Sequence, residues 1–406
     1  MAVGIKEEPH LLPVKGIKLA ACSAGIYKKE RLDLAIIAAD PASSISSVFT
    51  RNTFCAAPVT IAKEHLSKCD PLYLLINAGN ANAGLGKRGH EDGLKICKAL
   101  ADILDTRQEY ILPFSTGVIG EPMPVENICK ALPVLMDSVA ENSWSDVSKA
   151  IMTTDTVPKG ITRVLTIGET KVTITGIAKG SGMIRPDMAT MLAFIGTDAA
   201  IEKNILHEML AYAVEQSFNR ISVDGDTSTN DACVFIASGK SGLSEIHTMD
   251  SEAGIKIRDV LTEVCIYLAK EIIRDGEGAT KFVTLEIGGG LNREECLAVA
   301  TAIAHSPLIK TALFASDPNW GRILAAVGRS GISNFDVNKV SIYIDDVCIV
   351  SEGERAREYT EEKGKKVFQN DEILIHISLE RGDYNLKFWT CDLSYDYVKI
   401  NAEYRT

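Results

Sequence analysis

The chain has 406 residues, of which 46% are hydrophobic and 24% are charged, a composition typical of an ordinary globular protein. Its 54 acidic and 43 basic residues give a formal net charge of −11 at pH 7, which argues against a general electrostatic attraction to nucleic acid or to an anionic membrane. Because 406 residues exceed what one hydrophobic core usually holds, we expect one large domain with a smaller companion.

The N-terminal residues and the cysteines both bear on the compartment. Residues 1–10 contain acids and a proline where a signal peptide needs an apolar core, and no apolar run approaches the length of a membrane span. The ten cysteines form no Cys-x-x-Cys pair, and the seven histidines form no His-Glu-x-x-His motif. We therefore expect a cytoplasmic protein with reduced thiols, no structural zinc and no metal or redox cofactor.

Short β-branched runs alternate with amphipathic helical patterns along the first half of the chain. Their periodicity predicts strands at residues 34–38 and 72–76 and a helix at residues 91–104, whose apolar side chains share one face. Residues 163–175 read as a β-hairpin that turns at Gly168. This hairpin delivers the chain to a glycine-rich segment that follows it directly.

The second half continues the alternation. The predicted elements are helices at residues 201–217 and 250–273 and strands at residues 282–287, 340–344, 386–390 and 397–400. Mixed strands and helices in these proportions favour a layered α/β sandwich over a barrel. We expect a main domain in residues 1–290 and a smaller α/β domain in residues 291–406, whose last strands and C-terminus return to the active site.

Thr190 stands between a glycine-rich turn and an apolar, strand-like run. A threonine hydroxyl becomes a nucleophile at neutral pH only when a base takes its proton. Cleavage before Thr190 would free an α-amine beside the hydroxyl, and such an amine has a reference pKa of about 7.7–8.0, whereas a lysine amine titrates near 10.4. The alternative is that Thr190 merely begins a β-strand.

Six further segments stand in a characteristic order around this threonine. They are residues 76–83 (INAGNANA), 115–120 (STGVIG), 152–156 (MTTDT), 224–231 (DGDTSTND), 275–281 (DGEGATK) and 317–322 (DPNWGR). Together with residues 179–194 they resemble the ornithine acetyltransferase (glutamate N-acetyltransferase) family of arginine biosynthesis, nearly from end to end of the chain.

The resemblance implies a fold and a processing event. The fold would be an αββα-type sandwich of a self-cleaving N-terminal-threonine acyltransferase, with the smaller domain at the C-terminal end. Cleavage would fall between Ala189 and Thr190 and give fragments 1–189 and 190–406. The fragments would stay together, as a heterotetramer of two copies of each.

The resemblance also implies the site residues. Thr116 and Gly117 would form the oxyanion hole, although by pattern alone they could be an ordinary turn after a strand. The implied substrate-binding residues are Thr153, Lys179, Thr190, Glu277, Asn401 and Thr406. Residues 152–156 offer three threonines, and the choice of Thr153 rests on family spacing. Asn401 and Thr406 would otherwise read as residues of a frayed terminus.

The implied reaction moves an acetyl group from N-acetylornithine to glutamate through an acetyl-Thr190 ester, without a cofactor. Some members of the family also accept acetyl-coenzyme A as the donor, and the sequence leaves that choice open. Two alternatives remain at this point. One is a related self-cleaving amidase or aminopeptidase in which water resolves the acyl-enzyme, and the other is a binding or assembly protein without activity.

Overall fold

The computed structural model describes residues 2–4, 7–27, 31–185 and 191–403. Three residues of the expected site, Ala189, Thr190 and Thr406, lie outside the described residues. The strands, in chain order, are β1 (Ile17–Cys22), β2 (Leu34–Ala39), β3 (Ser44–Phe49), β4 (Tyr73–Asn80), β5 (Ile111–Val118), β6 (Lys159–Ile167), β7 (Thr170–Lys179), β8 (Leu192–Thr197), β9 (Ile221–Ser222), β10 (Ala232–Ala237), β11 (Phe282–Gly290), β12 (Ser341–Ile344), β13 (Val347–Ser351), β14 (Glu354–Arg355), β15 (Glu372–Ser378) and β16 (Tyr384–Cys391). The α-helices are α1 (Ala57–Lys68), α2 (Gly86–Ile103), α3 (Val125–Asp137), α4 (Trp144–Ala150), α5 (Lys203–Gln216), α6 (Glu252–Arg274), α7 (Arg293–Ala304), α8 (Pro307–Phe314), α9 (Trp320–Gly328), α10 (Glu361–Phe368) and α11 (Tyr395–Ala402).

These strands form three sheets. The first has the order β1-β2-β4-β5, and the second has the order β3-β10-β8-β7-β6. The third has the order β14-β13-β12-β15-β11-β16-β9. In the second sheet β8 pairs in antiparallel fashion with β7 and in parallel with β10. The strand that follows Thr190 in the chain is therefore central in its sheet.

The first two sheets stack on each other between helices. One apolar core lies between the first sheet and helices α2 and α3, a second lies between the two sheets, and a third lies between the second sheet and helices α5 and α6. Successive side chains of β8 point to opposite faces of its sheet, so this strand contributes to two cores. Leu192 and Phe194 belong to the core between the sheets, while Ala193 belongs to the core under helices α5 and α6. The rings of Phe114 and Phe194 pack edge to face between the two sheets, with their centroids 5.2 Å apart. The expected αββα sandwich is confirmed.

A separate apolar core supports the C-terminal part of the chain. Its buried members run from Val283 to Phe388 and cover the third sheet and helices α7, α8, α9 and α10. β16 pairs with the short β9, and Thr390 Oγ1 donates to the Ser222 carbonyl at 2.8 Å, so the third sheet is joined to the sandwich. The division between residues 290 and 291 stays a prediction.

Most predicted elements are confirmed, with ends displaced by a few residues. The hairpin at residues 163–175 is β6 and β7, and the helices at 201–217 and 250–273 are α5 and α6. The strand predicted at residues 397–400 is wrong, because this stretch lies inside α11. Helix α11 begins at Tyr395 because the Ser394 hydroxyl accepts a hydrogen bond from the Tyr397 amide. This capping contact outweighs the local preference of Tyr, Val and Ile for strands.

All ten cysteines are free thiols, and each is buried or half-buried. Within the described part of the chain, no helix taken singly has the length and apolar composition to span a membrane. Helices α7 and α8 pass that test only as a pair, which is bent by 59°.

Candidate active site

A polar pocket of about 290 Å³ opens where the first two sheets and the C-terminal helix meet. It is lined by Ala81, Thr116, Gly117, Val118, Ile119, Thr153, Thr154, Lys179, Gly182, Met183, Ser228, Thr229, Asn230, Glu277 and Asn401. All six predicted site residues that the structure describes therefore lie on one cavity. They come from five separate parts of the chain, between residues 116 and 401.

The end of β5 supplies the two expected oxyanion donors. Gly117 has a φ of +127°, and a Cβ at this residue would lie 2.3 Å from the Gly79 carbonyl carbon, so only glycine fits this close approach. The Thr116 hydroxyl accepts a hydrogen bond from Lys179 Nζ at 3.0 Å. Because a hydroxyl also has one hydrogen to donate, Thr116 retains a donor for a second partner.

Asn230 fixes the end of β5 against the second sheet. Its Nδ2 donates to the Ser115 carbonyl at 3.0 Å and to the Ala81 carbonyl at 2.6 Å, and its Oδ1 accepts from the Thr229 hydroxyl at 2.5 Å. Ser115 is held from the other side, since its hydroxyl donates to Asn77 Oδ1 at 2.5 Å. The sequence marked residues 224–231 as a family motif but did not single out Asn230, because only the fold shows which side chain of that turn faces β5.

Lys179 is the cation of the pocket. It ends β7 and points across the cleft to Thr116 on the opposite sheet. Burial lowers the pKa of the Lys179 amine, and the negative charge of nearby Asp155 opposes that effect. A cation at this place suits the carboxylate of an amino-acid substrate.

Asp155 and Lys159 form a buried ion pair beside Lys179. Lys159 Nζ lies 2.6 Å from Asp155 Oδ1 and 2.6 Å from Asp275 Oδ2. Burial by itself would raise the pKa of Asp155, but the charges of Lys159 and Lys179 and a hydrogen bond from the Gly180 amide hold it well below its usual range. The same two acids raise the pKa of Lys159 against the effect of its burial.

The threonine-rich segment contributes two hydroxyl-bearing residues to the wall. Thr153 and Thr154 line the pocket, whereas the Thr156 hydroxyl donates to Asp275. The Thr153 amide donates to Asp155 Oδ2 at 2.9 Å. The structure thus reduces the three threonines that the sequence offered to two.

Glu277 and Asn401 meet at the far side of the pocket. Asn401 Nδ2 donates to Glu277 Oε2 at 2.8 Å and to the Tyr397 carbonyl one turn earlier in α11 at 3.0 Å. The Glu277 carboxylate also packs against Gly182, where a Cβ would lie 2.4 Å from the carboxylate carbon. The C-terminal segment therefore reaches the site, but it does so as a helix.

Both flanks of the segment that contains Thr190 are anchored. On one side Asp224 accepts from the amides of Met183 at 2.6 Å and Ile184 at 3.0 Å. On the other side the Met191 carbonyl accepts from the Ala232 amide at 2.9 Å. Leu192, two residues after Thr190 in the chain, is buried in the apolar core between the sheets.

The described residues of the pocket can be compared with the ligand sets that hold metal ions. Among the residues that the structure describes, no group of three or more His, Cys, Asp or Glu side chains is placed to hold a metal ion. The polar groups of the pocket are instead hydroxyls, amides, one ammonium and one carboxylate. Such a set has the donors, acceptors and charges that a charged amino acid and an oxyanion would require.

The layered sandwich and its polar pocket define an α/β enzyme with a site suited to acyl transfer. A family model described as the ArgJ family matches residues 18–406. The arginine biosynthesis bifunctional proteins ArgJ of Pseudomonas fluorescens and Pseudomonas syringae pv. tomato are 51% and 50% identical to this chain, each over 406 residues and 100% of both proteins. A crystal structure of the protein of that name from Bacillus halodurans is 39% identical, covers 50% of this chain and 95% of its own, and has a TM-score of 0.49. The chain belongs to the ArgJ family.

Proposed function

We propose that this enzyme transfers the acetyl group of N-acetylornithine to glutamate and so gives ornithine and N-acetylglutamate, a step of arginine biosynthesis. The observation that carries the proposal is the pocket itself, in which Thr116, Gly117, Thr153, Lys179, Glu277 and Asn401 converge. The full-length relatives named as bifunctional proteins of arginine biosynthesis support the same assignment.

Thr190 is the proposed nucleophile. Cleavage between Ala189 and Thr190 frees its α-amine, which takes the hydroxyl proton as Thr190 Oγ attacks the acetyl carbonyl. Thr116 donates from its side chain and Gly117 from its backbone to the oxyanion. The intermediate collapses when the α-ammonium returns the proton to the ornithine nitrogen, which leaves as an amine. The amine of glutamate then attacks the acetyl ester, and Thr190 recovers its proton.

The remaining residues bind the two amino acids in this scheme. Lys179 pairs with a carboxylate, Thr153 donates a hydroxyl, and Glu277 accepts from an ammonium group, with Asn401 orienting its carboxylate. Thr406 completes the substrate contacts from the C-terminus. These roles are proposals that the geometry of the pocket supports and that substitutions can test.

Acetyl-coenzyme A is a proposed second donor. The relatives carry the word bifunctional in their names, and in this chain the same Thr190 ester would form from a thioester donor, with the thiol leaving in place of ornithine. Incubation of purified enzyme with acetyl-coenzyme A and glutamate, followed by release of free thiol, measures this activity directly. Absence of thiol release in an enzyme that uses N-acetylornithine would make the protein monofunctional.

One experiment tests the central proposal. Purified enzyme is incubated with N-acetylornithine, with and without glutamate, and the acetylated protein is digested for mass spectrometry. We expect about one ornithine per active site without glutamate, continued ornithine release only with glutamate, and the acetyl group on Thr190 in a peptide that starts Thr-Met-Leu-Ala-Phe. Thr190→Ala should stay uncut and inactive. Continued release of ornithine over many turnovers with water as the only acceptor would favour the amidase alternative, and an acetyl group on a cysteine would reject Thr190.

We also propose a heterotetramer of two fragments 1–189 and two fragments 190–406, located in the cytoplasm. Two copies of the 43.9 kDa chain predict a native mass of about twice that value by light scattering. A mass close to that of one copy would replace the tetramer with a simple pair of fragments.

A further inference from the structure

A buried charged triad lies under the wall of the pocket. It consists of Asp155, Lys159 and Asp275, whose side chains are at most 1% exposed. Taking three charges out of water is expensive, and a buried ion pair often stabilises a protein no better than apolar side chains of the same volume. Stability alone therefore gives no strong reason for the triad, and its contacts indicate another role.

Asp155 fixes two segments of the pocket wall. Its Oδ1 accepts from the Gly180 amide at 2.7 Å, directly after Lys179, and its Oδ2 accepts from the Thr153 amide at 2.9 Å. Since Lys159 donates to the same carboxylate at 2.6 Å, the position of Asp155 depends on Lys159. A shift of this carboxylate would move Lys179 and Thr153 together.

Asp275 holds a third segment of the pocket wall, which contains Glu277. Its carboxylate accepts from the Thr156 amide at 2.9 Å as well as from Lys159, and its carbonyl accepts from the Ser181 hydroxyl at 2.5 Å. The Ser181 carbonyl in turn accepts from the Glu277 amide at 3.0 Å. Lys159 is thus the common partner of acids that hold Lys179 on one side and Glu277 on the other.

The triad also sets the charge that surrounds the Lys179 ammonium. The titratable groups that face it are Asp155 from the loop before β6, Lys159 from the start of β6, Asp231 from the turn before β10, and Glu277 from the turn after α6. Asp155 favours the charged form of Lys179, whereas Lys159 and burial disfavour it. Removal of Asp155 and removal of Lys159 should therefore act on Lys179 in opposite directions.

We propose that Asp155, Lys159 and Asp275 are positioning residues for acetyl transfer, which hold Lys179 and Glu277 in place and balance the charge on Lys179 so that it binds a substrate carboxylate. This inference rests on the proposed function of the pocket. The three residues do not line the substrate cavity. Through Lys179 and Glu277 they nevertheless affect the affinity for the substrate and the pH dependence of that affinity.

The test compares Asp155→Asn, Lys159→Met and the wild type by the pH dependence of kcat/KM for N-acetylornithine at saturating glutamate. We expect the alkaline limb, where Lys179 loses its proton, to move to lower pH in Asp155→Asn and to higher pH in Lys159→Met. KM should rise about tenfold or more in both variants, with a smaller fall in kcat, because substrate binding is what the triad supports.

Lys281→Met is the matched control. Lys281 is also buried and its ammonium donates to the Asn370 carbonyl at 3.0 Å, away from the pocket. This variant should lose stability without moving the alkaline limb.

Two outcomes in the folded triad variants would overturn the inference. The alkaline limb of the pH profile could stay in place, or it could move in the same direction in both variants. Where Lys159→Met does not fold, the shift in Asp155→Asn alone decides. An inactive wild type would instead overturn the proposed function.

Discussion

Gly117 occupies a backbone position that a residue with a side chain can take only under strain. Its φ of +127° and the 2.3 Å approach that a Cβ would make to the Gly79 carbonyl carbon are independent obstacles. The family resemblance implied Gly117 as an oxyanion donor next to Thr116. The structure adds the reason, which is that β4 and β5 come together at this point.

We predict that Gly117→Ala loses activity by a factor of about 100 or more, because the strand end must move and take an oxyanion donor with it. Stability should fall by about 1–3 kcal/mol from backbone strain. Steady-state kinetics and thermal unfolding measure the two effects. Gly168→Ala is the control, since Gly168 also has a positive φ, of +59°, but no atom lies within 4 Å of its added Cβ. Equal losses of activity in both variants would contradict the assignment.

Asp224 holds the backbone just before the segment that contains Thr190. It is half-buried, its desolvation raises its pKa, and its two carboxylate oxygens accept from the amides of Met183 and Ile184. We predict that Asp224→Asn slows self-cleavage, because one of these amides would face an NH₂ group instead of an oxygen. The fraction of uncut chain on a denaturing gel over time measures the rate. Asp226→Asn, on the exposed tip of the same turn, should cleave like the wild type, and equal rates in both variants would count against this role.

At the scale of elements, the C-terminal helix shows how a local pattern and the tertiary context differ. Residues 397–400 have strand-forming side chains, yet α11 forms behind the Ser394 cap and presents Asn401 to Glu277. The prediction that the C-terminal segment carries a site residue agrees with this position of Asn401. The predicted type of element was wrong, since the pattern of only four residues cannot decide between strand and helix.

We predict that Asn401→Ala raises the KM for N-acetylornithine about tenfold while self-cleavage proceeds normally. The reason is that the Glu277 carboxylate loses a hydrogen bond, and bonds to charged groups contribute about 1.5–3 kcal/mol. Initial-rate kinetics and gel analysis of the same preparation give both results. Val398→Ala is the control. Val398 lies on the same helix and is 62% exposed, so this variant should leave KM unchanged. An unchanged KM in Asn401→Ala would remove Asn401 from the site.

At the scale of the whole molecule, the second sheet interleaves strands from both sides of the proposed cleavage point. Strands β3, β6 and β7 precede Thr190 and strands β8 and β10 follow it, in the order β3-β10-β8-β7-β6. β8 pairs with β7 over residues 192–197, and β10 pairs with β3 over residues 232–237. Without the other fragment, each fragment would therefore have unpaired strand edges. It would also lack part of the two apolar cores on the faces of the second sheet.

We predict that the fragments of 189 and 217 residues elute together from a size-exclusion column in native buffer and separate only in denaturant. The uncut Thr190→Ala chain should elute at the same volume, because cleavage breaks one bond and no strand pairing. Elution of the wild-type fragments at two separate volumes in native buffer would contradict the interleaved sheet as the link between them.

The sequence by itself determined the class of fold and the family of the protein. Hydrophobic periodicity is a local property, so it predicted the β6–β7 hairpin and helices α5 and α6 with small errors at their ends. The ordered motifs gave the family, and through it Thr116, Gly117, Thr153, Lys179, Glu277 and Asn401. The roles of these residues, and those of Thr190 and Thr406, stay predictions.

Only the tertiary structure decided which side chains support the site. Lys159 and Asp275 are 116 residues apart and Asn230 and Ser115 are 115 apart, and no local pattern in a single chain links residues at such separations. A buried charge is also indistinguishable from a solvated one until its neighbours are known, because burial and nearby charges decide its protonation. The triad of Asp155, Lys159 and Asp275 therefore emerged from the fold and not from the sequence.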